Sequence, residues 1–287
     1  MDPSERGVLA LSIEPLSQHA GRMDTSYVHG YTEPEARRLG DQADVLAALL
    51  HAGTAYPAGS RVLEVGCGIG AQTVHLVARS PDAHLTAVDV SEDSLDQARQ
   101  RVGGVEFRRA DLFALDGEWD HLFVCFVLEH LPEPEKALAH LKTLLRPGGT
   151  ITVIEGDHGS AFFHPRSDHA QAAIDCLVRL QADAGGDGLL GRRLHPLLAD
   201  AGFEDVHVEP RTVYADASRP DLVTGFTRDT FTAMVEGVGE TAVARGLIDE
   251  AGWARGIADL YRTTREYGTF HYTFFKATAV STPGGAS

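Results

Sequence analysis

Cysteine is scarce in this 287-residue sequence, and so are the long apolar runs that cross membranes. The three cysteines, Cys67, Cys125 and Cys176, are too widely spaced for a disulfide framework or a zinc ligand pattern. No apolar stretch approaches the length of a membrane span, and the first residues lack the basic and then apolar pattern of a secretory signal. We therefore expect a soluble, cytoplasmic protein whose thiols stay reduced.

Basic residues are also few. Lysine and arginine total 25 against 41 aspartates and glutamates, which gives a net charge of −16. Such a surface repels nucleic-acid phosphates and anionic lipid headgroups, so neither nucleic acid nor a membrane is an expected partner. The length allows one large domain with an appended cap, or two small domains. A small-molecule substrate is the partner that this composition favours.

The most informative stretch is VLEVGCGIG at residues 62–70, in which an apolar run with a glutamate leads into three alternating glycines. It predicts a buried strand, a tight turn and a helix from Gly70 to Ser80. Glycine suits a turn in which a Cβ would block a positive φ or the approach of a ligand. The spacing differs from the G-x-G-x-x-G of dinucleotide-binding proteins. With Glu64 at the strand end, it favours a nucleoside that carries a positive group over a diphosphate.

Later apolar runs each end beside a polar residue. The run 85–88 ends at Asp89, about twenty residues beyond the glycine turn, which is the spacing at which a carboxylate of such a fold reaches ribose hydroxyls. The runs 105–110 and 121–127 lead to Asp111 and to the segment LEHLP. Because helical periodicity follows each run, we expect these polar residues to share the carboxyl edge of one parallel sheet.

The full pattern predicts an α/β protein with a Rossmann-like, doubly wound, seven-stranded and mostly parallel sheet. The expected parts are an N-terminal helical arm with a lid helix (1–56), a ligand-binding core (57–160), the remainder of the core with an inserted helical cap (161–265), a final strand (266–280) and a disordered tail (281–287). Within these parts, the fifth strand is predicted at 150–154, the sixth strand at 203–213, the cap helix at 220–238 and the last helix at 245–261.

Five motifs in succession resemble those of the class I S-adenosylmethionine-dependent methyltransferases. They are Glu64 to Gly70, Asp89, Ala110 to Leu112, Phe126 to Leu131 and Leu145 to Gly149. The resemblance covers about residues 57–155 and implies S-adenosyl-L-methionine as cofactor, with S-adenosyl-L-homocysteine as product. An NAD-dependent oxidoreductase shares the strand pattern, but the glycine spacing disfavours it.

The resemblance also implies roles for individual residues. Gly66 and Gly68 would line the methionine part of the cofactor, Asp89 would bind the ribose, Asp111 with Leu112 would bracket the adenine, and Glu64 would support the glycine loop. Phe126, Tyr27 and Arg38 complete the predicted cofactor site.

The segment EGDHGS at 155–160 is the predicted acceptor site, because it follows the fifth strand and mixes polar residues with glycines. His158 is the candidate general base, since a neutral imidazole titrates near working pH. Asp157 or Glu155 would orient it or offset a developing cation. The resemblance implies that an N-terminal helix and its leading tyrosines fold over the cofactor, so Tyr27 or Tyr31 is expected to close the site. A metal site formed by Asp157, His158, His164 and His169 is disfavoured, because these spacings match no familiar ligand set.

The predicted activity is methyl transfer to a small aromatic or apolar metabolite. The arm, the 155–160 segment and the aromatic last strand are similar to bacterial natural-product methyltransferases, including those that methylate carbon on indole alkaloids. This similarity implies C-methylation of an indole-derived compound, with O- or N-methylation of a phenol or amine as the alternative. A cofactor-binding protein that no longer transfers methyl stays open as a different class. The N-terminal arm also suggests a homo-oligomer.

Overall fold

The computed structural model describes residues 43–282. Residues 43–50 are helical and are labelled α1, and the role of this segment as a lid stays a prediction. The predicted site residues Tyr27, Tyr31 and Arg38 lie outside the described residues, and so do residues 283–287 of the predicted tail.

Seven strands and eight further α-helices follow α1 in the described part of the chain. In chain order they are β1 (Arg61–Val65), α2 (Thr73–Arg79), β2 (His84–Asp89), α3 (Glu92–Arg101), β3 (Glu106–Arg109), β4 (Trp119–Cys125), α4 (Pro134–Thr143), β5 (Leu145–His164), α5 (Asp168–Asp183), α6 (Leu194–Asp200), β6 (Glu204–Ala215), a π-helix (Leu222–Thr232), α7 (Ala233–Gly237), α8 (Gly239–Ala244), α9 (Glu250–Arg262) and β7 (Thr269–Val280). None of the helices in residues 43–282 combines the length and apolar character needed to cross a bilayer.

The strands form one sheet in the order β3-β2-β1-β4-β5-β7-β6. Strands β1 to β5 pair in parallel, whereas β7 runs antiparallel to both β5 and β6. Four of the five residues of β1 are buried, as expected for a central strand covered by helices on both faces. The predicted seven-stranded, mostly parallel, doubly wound sheet is therefore confirmed.

The glycine turn is longer than the sequence pattern predicts. Helix α2 begins at Thr73, although the pattern placed its start at Gly70. Gly70 has a φ of +75°, in the left-handed region, and cannot form part of a right-handed helix. A Cβ on Gly70 would lie 3.1 Å from the Ala98 Cβ of α3, so this glycine also allows the turn to pack closely on the next helix.

Strand β5 is much longer than predicted. Residues 155–160 continue the strand, although their glycines and polar residues indicated a loop. The reason is the partner strand, because β7 pairs with β5 on both sides of a register shift that separates Asp157 from Phe162. The backbone of this segment therefore forms sheet hydrogen bonds that its composition did not reveal.

The inserted cap lies between β6 and β7, as predicted, but it is not one helix. A π-helix covers 222–232, and α7 and α8 then replace the rest of the helix expected at 220–238. Helix α9 begins at Glu250 rather than at residue 245, because the Asp249 carboxylate caps its start by accepting from Gly252 N–H. The cap packs on the same face of the sheet as α5 and forms one apolar core with it.

Candidate active site

A cavity of about 280 Å³ opens at the carboxyl ends of β1, β2, β4 and β5. One side, which we call the glycine-turn half, includes Gly66, Gly68, Asp89, Val90, Ala110 and Leu112. The other side, which we call the aromatic half, includes Phe126, His158, Gln181, Phe226, Phe231, Tyr272 and Phe274. The two halves are continuous, so a ligand bound in one half would contact a ligand bound in the other.

The glycine turn is shaped to let a ligand approach the backbone. Gly66 and Gly68 have φ values of +72° and +50°, which a side chain rarely allows. A Cβ on Gly66 would overlap the Val127 side chain, whereas a Cβ on Gly68 would meet no atom of the described residues within 4 Å. Gly66 is thus needed for packing, and the space above Gly68 is open to a ligand.

Asp89 is held by the glycine turn at the end of β2. Its Oδ2 accepts from Gly68 N–H at 2.8 Å, and its Oδ1 accepts from Ser91 N–H at 2.9 Å. Burial raises the pKa of Asp89, and the backbone donors counteract part of that effect. A carboxylate offers about four acceptor positions, so the group can also accept from a hydroxyl of a ligand.

Glu64 lies behind the glycine turn and does not line the cavity. Its Oε2 accepts from the Thr73 hydroxyl at 2.6 Å, which links β1 to the first residue of α2. Burial raises the pKa of Glu64 to about 8, even though the Thr73 hydrogen bond lowers it. Glu64 therefore ties β1 to the start of α2, and its role in supporting a bound cofactor stays a prediction.

Asp111 and Leu112 were predicted to bracket an adenine, but only one of them lines the cavity. That residue is Leu112, which lies there together with Ala110. Asp111 is exposed and does not line the cavity, because its Oδ1 accepts from Phe113 N–H at 2.8 Å and caps the short 3-10 turn that follows. A carboxylate with this local task is a weaker candidate for contact with a base.

Neighbouring residues of β5 point to opposite faces of the sheet, which separates His158 from Asp157. His158 is buried in the cavity wall, and its Nδ1 lies 2.9 Å from the Tyr272 hydroxyl of β7. Asp157 does not line the cavity, because both of its oxygens pair with the Arg192 guanidinium at 2.7 and 2.8 Å. The structure therefore does not bring Asp157 to the acceptor side, where the sequence placed it.

Glu155 and Glu129 form an acidic region deeper in the site. Glu155 is fully buried, and its Oε1 accepts from the backbone N–H groups of Val127 and Leu128 at 3.1 and 2.8 Å. Burial, together with the nearby Glu129 carboxylate, holds the pKa of Glu155 well above its ordinary range. Glu129 lines the cavity, whereas Glu155 supports the turn that carries it.

Sequence reasoning missed several residues of the aromatic half. Tyr272, Gln181, Phe226 and Phe231 converge on the cavity from β7, α5 and the π-helix. The available signal was the aromatic run of the last strand, in which alternate residues face one side. Phe126 was included in the predicted cofactor site, and it lies at the end of β4 with a φ of +58°, an uncommon conformation for a bulky residue.

The described residues offer no metal centre. Within 43–282, no group of three or more histidine, cysteine, aspartate or glutamate side chains is arranged to hold an ion. Of the four residues in the disfavoured metal hypothesis, Asp157 is paired with Arg192, and His169 Nε2 lies 3.2 Å from the Arg255 guanidinium.

Known proteins resemble this chain over its core and beyond. Residues 63–151 match a family model described as a methyltransferase domain. The chain is 33% identical over 181 residues to a trans-aconitate 2-methyltransferase of Methylobacterium radiotolerans, an alignment that covers 61% of this chain and 67% of that enzyme. It is also 30% identical over 257 residues to an uncharacterized 37.1 kDa transposon protein of Streptomyces fradiae, covering 83% of this chain and 71% of that protein.

A solved structure extends the comparison to the fold. The phosphoethanolamine N-methyltransferase 2 of Haemonchus contortus, in complex with S-adenosylhomocysteine, superposes with a TM-score of 0.54 at 15% identity. The match covers 88% of this chain and 59% of that one. At this identity the likeness shows the fold alone.

Proposed function

Because the chain belongs to the class I S-adenosylmethionine-dependent methyltransferases, we propose that it methylates a small aromatic metabolite held in the aromatic half of the cavity. The observation that carries this proposal is the continuity of the cavity from the glycine turn to a wall of five aromatic rings. When bound, the cofactor supplies a sulfonium methyl group that an acceptor atom displaces in line. S-adenosylmethionine is the cofactor and S-adenosylhomocysteine its product.

The glycine-turn half has the chemistry that the cofactor requires. The open space above Gly68 would let the methionine part lie against the backbone. The Asp89 carboxylate would accept hydrogen bonds from the ribose hydroxyls, and Leu112 would pack on the base. The roles of Tyr27 and Arg38 at the cofactor stay predictions.

The aromatic half favours a flat and largely apolar acceptor. Phe226, Phe231 and Phe274 surround Tyr272 with ring centroids 4.7 to 5.5 Å apart, at tilted or edge-on angles. A planar ring can extend this packing, whereas a small charged acid would lose its hydration there without gaining a cationic partner from these rings. The acidic surface of the chain disfavours anionic acceptors in the same way.

We assign His158 as the general base that removes the proton of the acceptor. Its Nδ1 lies 2.9 Å from the Tyr272 hydroxyl, and this contact orients the imidazole in the cavity wall, where it would take up a proton of the acceptor. Burial holds the pKa of Tyr272 well above its ordinary range, so the phenol stays neutral as the partner of the imidazole. Tyr272 is accordingly a positioning residue for His158.

The methylated atom decides how these groups act. We favour carbon of an indole-derived compound, where the π-faces and the buried Glu129 carboxylate would stabilise the cation before His158 removes the ring proton. Asp157, which the sequence suggested for this task, is replaced in the proposal by Glu129. The alternative is a phenol or amine, whose proton His158 would take as the oxygen or nitrogen is methylated.

Methyl transfer from deuterated-methyl S-adenosylmethionine to a panel of indoles, phenols and amines tests the proposal. NMR of the product locates the label on carbon, oxygen or nitrogen. His158→Ala should slow transfer by about 10²- to 10⁴-fold, the usual contribution of a general base, with the cofactor Kd little changed. His84→Ala, at the exposed start of β2, is the matched control. Transfer to none of these compounds would refute the proposed acceptor class.

A further inference from the structure

A side-chain amide at the end of the glycine turn is held by a buried histidine. Gln72 is the residue before α2, it is half-buried, and it lines the cavity. Its Oε1 lies 2.7 Å from Nε2 of His51, which directly follows α1 and is fully buried. The Gln72 Nε2 has no hydrogen-bond partner among residues 43–282 and, unlike the His51 Nδ1, it is not enclosed by protein atoms. The amide nitrogen can therefore still donate to a ligand.

The surroundings of His51 decide which way the Gln72 amide faces. The imidazole stacks on Phe123 of β4, with ring centroids 5.5 Å apart, and its Nδ1 is buried without a partner in the described part of the chain. Burial lowers the pKa of His51 to about 4, so the ring is neutral and carries one proton. A proton on Nδ1 would be an unpaired buried donor, whereas a proton on Nε2 is donated to an amide oxygen. We therefore assign the proton to Nε2 and the Gln72 oxygen to the side of His51, which directs the amide nitrogen to the cavity.

The charges of the cavity wall indicate what this nitrogen would bind. Asp89 and Glu129 bring negative charge to the cavity, and no lysine or arginine of residues 43–282 lines it. Among these residues, a carboxylate that enters the cavity must rely on neutral donors. The cofactor has such a carboxylate at the end of its methionine part, which would lie against the glycine turn that Gln72 completes. The amide donor and the acceptor that it needs would thus meet at the same turn.

We propose that His51 is a positioning residue for the cofactor, because it holds the Gln72 amide so that the amide nitrogen donates to the carboxylate of the methionine part. This inference rests on the proposed function, since it requires S-adenosylmethionine in the glycine-turn half. Gln72 would touch the cofactor, whereas His51 does not line the cavity and acts only through Gln72. The residue that follows α1 thereby contributes to cofactor binding without contacting the cofactor.

S-adenosylhomocysteine and its decarboxylated analogue provide the test, because the two compounds differ only in the carboxylate. Isothermal titration gives the Kd of each compound, and the ratio of the two Kd values reports what the carboxylate contributes to binding. We expect the wild type to bind S-adenosylhomocysteine more tightly by about tenfold or more, as hydrogen bonds to a charged group would cause. Gln72→Met keeps the length of the side chain without the amide. It should reduce the ratio by about tenfold and leave the Kd of the decarboxylated analogue within about twofold of the wild-type value.

Two substitutions of His51 test its positioning role. His51→Phe keeps a ring that can stack on Phe123 but cannot hold the Gln72 amide. We expect it to reduce the ratio about threefold, since the amide must then be ordered when the ligand binds. His51→Gln offers an amide nitrogen in place of the imidazole Nε2 and should restore most of the wild-type ratio. A purely structural role of His51 would weaken binding of both compounds alike, so the ratio separates positioning from folding.

Two control variants isolate the hydrogen bond between His51 and Gln72. His75→Phe changes the neighbouring imidazole, whose ring centroid lies 5.3 Å from that of His51 and whose Nε2 lies 3.2 Å from the Asp44 carboxylate. Gln97→Met removes an exposed amide from α3. Both variants should keep the wild-type ratio.

The outcomes distinguish this inference from the function on which it rests. If Gln72→Met keeps the wild-type ratio, the amide does not bind the carboxylate and the inference is refuted, while methyl transfer by the wild type would still support the proposed function. If Gln72→Met lowers the ratio but His51→Phe does not, or if His75→Phe lowers it as much as His51→Phe, His51 is not a positioning residue. If the wild type does not bind S-adenosylhomocysteine, the proposed function fails and this inference fails with it.

Discussion

Gly156→Ala is the most direct perturbation of the His158–Tyr272 pair. Gly156 lies in β5, pairs with Phe274 of β7 and has no left-handed φ, so alanine suits its backbone. A Cβ at this position would, however, overlap the Tyr272 hydroxyl, while it would lie an ordinary 3.5 Å from the ring carbon Cζ. The added methyl group therefore conflicts with one oxygen atom and with little else of that side chain.

The cost can be worked out from the surroundings of Tyr272. The ring is 2% exposed and packed among other aromatic rings, so it cannot easily move away from the added methyl group. Overpacking of a buried site costs about 1–3 kcal/mol, and loss of the hydrogen bond to His158 adds about 0.5–1.5 kcal/mol. For a chain of this size, we expect the Tm to fall by roughly 5–10 °C. Methyl transfer should also slow, because His158 loses its partner.

A double-mutant cycle with Tyr272→Phe tests this reasoning, with thermal and urea unfolding as the assays. Phenylalanine lacks the oxygen that the new Cβ would overlap, so Gly156→Ala should cost less than about 1 kcal/mol in the Tyr272→Phe background. Gly103→Ala, where a Cβ would meet no described atom within 4 Å, is the control substitution. Additive effects of the two substitutions would refute the proposed overlap and the geometry of the pair.

Other predictions concern the cofactor side and the catalytic histidine. Asp89→Ala should weaken S-adenosylmethionine binding by about tenfold or more, since charge-assisted hydrogen bonds contribute about 1.5–3 kcal/mol each, and unchanged affinity in calorimetry would contradict the ribose assignment. Glu64 binds its proton more tightly when folded, with a pKa of about 8 against an ordinary 4.5, so its contribution to stability is complete below pH 4.5 and is lost as the pH rises toward 8. Between pH 4.5 and 8, the free energy of unfolding of the wild type, measured in urea, should therefore fall by up to about 1.4 kcal/mol per pH unit more than that of Glu64→Gln. If the free energies of the two proteins change with pH in parallel, Glu64 is not the buried acid described here. His158→Asn should reduce the transfer rate with little change in cofactor Kd, and it should remove from the pH–rate profile the limb that reports the base; persistence of that limb would assign it to another group.

Much of the cofactor side follows from short-range sequence patterns. The apolar runs of β1, β2 and β4 each predict a buried strand, and the carboxyl ends of parallel strands meet at one edge of a sheet. Gly66, Gly68 and Asp89 could therefore be placed together without knowledge of their contacts. Glu64 also lies where the motif indicated, behind the turn and against Thr73.

The acceptor side could not be predicted in the same way. The segment around Asp157 and His158 is polar and glycine-rich, so local preferences indicate a loop, and only pairing with β7 makes it a strand. Once it is a strand, alternation of side chains assigns His158 to the cavity and Asp157 to the opposite face. The sequence named both residues but contained no signal for choosing between them.

By itself, the sequence determined the α/β class, the glycine turn and the acids at the strand ends, because these features depend on residues close together in the chain. Only the tertiary structure decided which groups face the acceptor. Tyr272 is 114 residues from His158, and Gln181 approaches from a helix on another part of the chain. Contacts at such separations depend on strand register and helix packing, which no local pattern of residues specifies.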